Sequence, residues 1–250
     1  MGIFNEKEGK YIALTIFILT IVFGFNDGTE TFELSHWINN LFLVLIVVAI
    51  SFLLAHIMHR LVAKKFFAKS TYDLWIVKRF GFSPHMKARL MKKELAVPAG
   101  ILFPVLFAIM SNGLWYLPLV GTYNLIEEKA KRAGKIFIKI SGYERAITYL
   151  AAPFTNLVLF FIFLFMGKTL GMDFGLFTKV NMWMALAGLV PIPGLIGAEI
   201  LFGSLSFYIF AVLFFVISII LAPINIILAI LLGVILAITV VLTYFVGVSK

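Results

Sequence analysis

Residues 200–249 contain no charged side chain at all. A bilayer-crossing helix needs ~20 consecutive, mostly apolar residues, so this stretch has room for two spans. Ala222-Pro223-Ile224-Asn225 is the natural turn between them. The same pattern recurs upstream, in charge-free windows at 11–26, 34–59, 95–126, 146–167 and 180–198. Of the 250 residues, 62% are hydrophobic and 13% charged. A water-soluble domain is about half apolar and a quarter charged. Such a chain cannot cover its core with polar surface, and lipid is the solvent that suits it. The expected fold class is all-α and polytopic: one membrane domain over residues 1–250, without internal repeats or a soluble domain.

Charge gives the orientation. Residues 60–93 carry ten Lys and Arg, whereas 26–40 carry none and hold Asp27, Glu30 and Glu33. By the positive-inside rule the first loop is cytoplasmic and the second outside, which puts the N-terminus inside. The +9 net charge fits basic cytoplasmic loops, and nucleic acid is a poor competitor. The aromatics Phe66, Phe67, Trp75 and Phe80 between the basic residues fit a loop lying on the headgroups of the bilayer. No small-residue cleavage site follows the first apolar segment, so it reads as a retained span. The chain has no cysteine, hence no disulfide.

The window 95–126 has two readings. One full span would leave the basic loop 127–145 outside. A re-entrant hairpin turning at Ser111-Asn112-Gly113, its arms broken by Pro104 and Pro118, keeps both basic loops (63–97 and 127–145) inside, and the charge rule favours it. Six spans then lie near 10–26, 37–60, 146–166, 178–193, 203–221 and 225–247, in the cell membrane, with both termini cytoplasmic. The alternation in 135–140 predicts one short strand.

Polar groups inside spans are costly and are candidate functional residues. Here they are His56, His59, Asn156, Asn181 and Glu199. His56 and His59, three apart, share a helix face. A two-histidine pair is far less than a zinc site needs, because zinc takes three protein ligands and an open position in an enzyme.

The segment Ala55-His56-Ile-Met-His59-Arg-Leu-Val-Ala63-Lys64-Lys65-Phe66 resembles the His-Glu-x-x-His helix of the site-2 proteases, a family of membrane-embedded zinc metalloproteases, and of its archaeal members in particular. Ala152-Pro-Phe-Thr-Asn156 is similar to that family's Gly-Pro-x-x-Asn. Gly188-Leu-Val-Pro191-Ile-Pro193-Gly194-Leu195-Ile196-Gly197 resembles its Asn-x-x-Pro-x-Pro-x-Leu-Asp-Gly. The three segments occur in the family's order, across residues 51–200.

The resemblance implies a site-2-protease-like core. It also implies which positions would act: Ala55 at the first His, His56 at the general-base Glu, His59 at the second His, Ile196 at the ligating Asp, Gly188 at the Asn. Of the three aligned ligands only His59 remains. The expectation is therefore a pseudoprotease without a cofactor, which binds membrane segments (transmembrane segments of other proteins among them) or partner proteins and does not cut them. One alternative is an active intramembrane metalloprotease with a shifted zinc site of His56, His59 and Glu199; another is a small transporter or channel component. Pro191 and Pro193 also break a helix with or without chemistry. Gly194 and Gly197 equally serve close backbone approach, and Asn156 and Asn181 equally serve as hydrogen bonds between spans.

Overall fold

The computed structural model of the protein describes residues 6–29, 33–77, 96–128 and 139–248. Among the described residues there are eight helices and two strands. Three helices are long and apolar enough to cross a membrane: α2 (Leu34–Lys65), α4 (Gly142–Leu170) and the last helix, α8 (Ile226–Val248), over its part Ile226–Tyr244. The others are α1 (Glu6–Gly24), α3 (Ala99–Met110), α5 (Gly175–Ala187), α6 (Ile196–Gly203) and α7 (Leu205–Leu221).

Most of the charge-free windows become helices, because in lipid an apolar run satisfies its backbone within itself. Local chemistry then sets the ends. At the start of α4, Ser141 Oγ accepts from the Glu144 N–H at 3.2 Å, and the Glu144 carboxylate accepts from the Ser141 N–H at 3.0 Å. That capping box satisfies two otherwise orphaned donors. Left-handed Gly171 (φ 63°) ends the same helix. α5 stops at Ala187, short of the span expected over 178–193, and Pro191 and Pro193 lie in the irregular segment that joins it to α6. Thirteen residues of helix rise only ~20 Å, so α5 alone is too short to cross a bilayer core of about 30 Å.

The all-α expectation needs one correction. β1 (Ala68–Leu74) and β2 (Gly121–Glu127) form a two-stranded antiparallel sheet with Tyr72 opposite Tyr123. β1 takes up part of the stretch read as the 63–97 loop; residues 78–95 lie outside the described set. Ala68, Ser70 and Tyr72 alternate inward, the period that a strand imposes. The strand expected over 135–140 falls mostly outside the described residues, as does most of the 127–145 loop.

The window 95–126 does turn at 111–113, but its arms differ from one another. The first is α3, which continues through a buried Pro104. The second is irregular, with the Leu119 N–H turned onto the Leu117 carbonyl at 2.8 Å across Pro118, before it enters β2. At the tip, Asn112 (φ 49°) and Gly113 (φ 68°) are both left-handed. Asn26 Nδ2 donates to the Asn112 carbonyl at 2.9 Å. The tip therefore rests on the end of α1 opposite Glu8. The Glu127 end of β2 pairs with Ala68, close behind the last turn of α2.

The main core gathers Phe23, Val44, Val48, Tyr149, Leu157 and Phe215 from α1, α2, α4 and α7. α8 packs on α7 along Ala229 and Ala237, both fully buried, with Gly233 midway.

Candidate functional site

A cavity of about 60 Å³ lies where α2, α4, the α5–α6 break and the sheet meet. α2 contributes Ala55, and α4 contributes Pro153 and Asn156. The break contributes Gly188 and Leu195, and α6 opens with Ile196. Tyr72 and Tyr123 close it from the sheet, and Thr15 and Leu19 from α1. Four positions picked from sequence (Ala55, Asn156, Gly188 and Ile196) thus converge on one space, although they come from three separate parts of the chain.

The walls are mostly apolar. Asn156 is buried, and its Oδ1 accepts no hydrogen bond from the protein. An unsatisfied buried acceptor costs about 1–3 kcal/mol, so a donor entering this cavity would find a favourable partner. Gly188 is packed hard against Pro153: a Cβ there would lie 2.4 Å from Pro153 Cγ. A side chain larger than hydrogen needs that ring to move. Gly197 is similar, since its Cβ would fall 2.3 Å from the Val190 carbonyl oxygen. The chain has to come this close for α6 to fold back on the break. Gly194 (φ 85°) sits against the Trp75 indole, which pins the break from outside.

The two histidines face elsewhere, and neither is among the cavity walls. One residue along a helix is a turn of ~100°, so His56 leaves Ala55's direction and meets α1. Its Nε2 is 3.8 Å from the Glu8 carboxylate. Glu8 is buried, accepts the Tyr72 N–H at 3.0 Å, and has an Arg60 nitrogen at 3.9 Å. The His59 ring stacks on Tyr123 at 3.7 Å between centroids, 13° from parallel. Its Nδ1 hydrogen-bonds Ser70 Oγ at 3.0 Å. A serine beside a histidine is nucleophile chemistry in principle. Here both side chains are buried and neither lines the cavity.

Glu199 does not join the histidines. Its carboxylate pairs with Arg145 at 2.6 Å, and that guanidinium lies over the Tyr149 ring. Among the described residues, no three of His, Cys, Asp and Glu come together as a metal-holding group. A methyl at 55 and a branched alkyl group at 196 offer zinc no electron pair. The donor set does not fit the metal. Asn181 is a strut: its Nδ2 donates to Ser51 Oγ and to the Phe177 carbonyl, each at 2.9 Å, tying α5 to α2.

Glu8, Tyr72 and Tyr123 were not singled out from sequence. Glu8 had a readable signal, a carboxylate one turn before the first apolar run, but nothing local says that it turns inward. The two tyrosines lie in strands whose pairing is long-range. No family model, curated protein or solved structure matches the chain.

Proposed function

We propose that this chain is a multi-pass membrane protein with a site-2-protease-like core that has lost its zinc chemistry and binds transmembrane segments without cutting them. The observation that carries the reading is the convergence of Ala55, Asn156, Gly188 and Ile196 on one cavity. Two of the four, Ala55 and Ile196, stand where the resemblance places zinc ligands, and neither side chain can ligate a metal; the other two reaction-centre positions, His56 and His59, do not line the cavity. What the cavity keeps is an apolar wall and one buried acceptor, which suits holding and not hydrolysis.

In this reading six segments cross the cell membrane: α1, α2, α4, α5 with α6, α7 and α8. The hairpin of α3 and β2 enters and leaves on the side where α2 ends, and both termini are cytoplasmic. The Asn26–Asn112 contact at the far end of α1, together with the Ala68–Glu127 pairing near the end of α2, supports a hairpin over a single span.

The test uses purified protein in liposomes with a synthetic single-span apolar peptide. A photo-crosslinking residue at Ile196 should capture the intact peptide, and one at Leu236 on the outer face of α8 should not. Protein purified without chelator should carry no stoichiometric zinc. One zinc per chain with peptide cleavage, both lost in His59→Ala, would overturn the proposal.

A further inference from the structure

A second hollow shares no lining residue with the family-like cavity. It is a groove of about 270 Å³ between the start of α4, the start of α7 and the end of α8. Phe207 and Phe210 line it from α7, and Ile238 and Val241 from α8. Tyr143 and Ser206 give it hydroxyls at the end where α4 and α7 begin, and the Tyr143 ring stands edge-on to Phe207 at 5.5 Å and 72°.

We infer that this groove holds one acyl chain of a diacyl glycerolipid, with Tyr143 and Ser206 donating to its ester carbonyls. Three observations identify the occupant. Two walls belong to α4 and α8, both long and apolar enough to cross a membrane. Leu242, a wall of the groove, and Leu205, between Ser204 and Ser206 in sequence, are both exposed, and exposed apolar surface in a bilayer is covered by hydrocarbon. Its hydroxyls sit at one end only, as required by a ligand with an apolar tail and ester oxygens at its head. No ionisable side chain other than the Tyr143 phenol lines the groove, so the charge of the headgroup is not read there. The inference rests on α4 and α8 crossing the bilayer, and not on the proposed activity.

The experiment is native mass spectrometry of the full chain released from membranes in mild detergent. Wild type should retain one diacyl lipid per chain. Val241→Trp fills the groove and should lose it, whereas Leu236→Trp, on the exposed side of α8, should keep it. Tyr143→Phe with Ser206→Ala removes two neutral hydrogen bonds, and the lipid should be displaced roughly tenfold more readily. Reconstitution in phosphatidylcholine or in phosphatidylglycerol should give equal retention. Equal retention by wild type and Val241→Trp, a strict requirement for the anionic lipid, or a dimer that Val241→Trp dissociates would each overturn the inference. If carbonate washing alone frees the chain from membranes, the bilayer premise fails, and the groove assignment fails with it.

Discussion

The Glu8 carboxylate reaches across the fold to accept the backbone N–H of Tyr72 at 3.0 Å. It is the only carboxylate among the buried polar residues of the described set. Thr15 Oγ1 donates to the Tyr72 hydroxyl at 3.0 Å from two turns further along α1. One tyrosine is thus held at both ends by the same helix. Glu8→Ala should lower stability by about 1.5–3 kcal/mol, the range for hydrogen bonds to a charged group. Glu8→Gln keeps an acceptor for the N–H and should lose less than half as much. Thermal unfolding in detergent would check both; equal losses would mean that the hydrogen bond to Tyr72 contributes little.

The α7–α8 contact depends on the small residues at 229, 233 and 237. A Cβ on Gly233 would lie 2.4 Å from Ser218 Oγ, the hydroxyl that donates to the Ala229 carbonyl. Gly233→Ala should therefore destabilise by about 1–3 kcal/mol through overpacking. Ser218→Ala alone should cost about 0.6 kcal/mol, a typical hydrogen bond between membrane helices. The double variant should be more stable than the sum of the two single effects, because removing the hydroxyl makes room for the methyl. Additive losses would rule out that contact.

The loop after α1 carries a pH-dependent latch. The Asp27 carboxylate lies 3.1 Å from His36 Nδ1 and accepts from the Thr29 hydroxyl at 2.8 Å. These bonds, His36 foremost, pull its pKa down from 3.8 to about 2. A depressed carboxylate stabilises the fold above its unfolded pKa and loses that contribution as pH falls through the folded one. The stability advantage of wild type over Asp27→Asn should shrink as pH falls from about 4 to about 2. Unfolding midpoints across that interval would show it.

Glu199→Gln tests the ion pair against the metal alternative. Arg145 is half exposed, so the loss should be no more than about 1 kcal/mol. Metal content should not change. A zinc that disappears in this variant would instead place Glu199 among the ligands.

Most helices were legible because hydropathy is local. The expected spans at 37–60, 146–166, 203–221 and 225–247 became helices at 34–65, 142–170, 205–221 and 226–248. The direction of His56 was also readable, since one residue along a helix is a fixed rotation from Ala55. The sheet was not. β1 carries Lys69 and Asp73 and reads as loop, and β2 is hidden inside an apolar window that resembles a span. Their pairing joins residues far apart in the chain, and no local periodicity reports that. The placement of Glu199 failed for a related reason. Ile196 and Glu199 do lie on one helix, but Arg145, on another, pairs with Glu199 and fixes its side chain there.

The sheet carries a consequence for how the protein is made. β1 leaves the ribosome well before β2, and a lone strand cannot enter hydrocarbon with its backbone groups unpaired. By then α1 and α2 have been synthesised, and Glu8 is ready to take the Tyr72 N–H. β2 is made only after α3 and the 111–113 tip, whose Asn112 carbonyl accepts from Asn26 at the end of α1. In the proposed hairpin reading the two strands enter together, once residue 127 has been made and before α4 follows, and a variant that slows their pairing should leave β1 open to proteases.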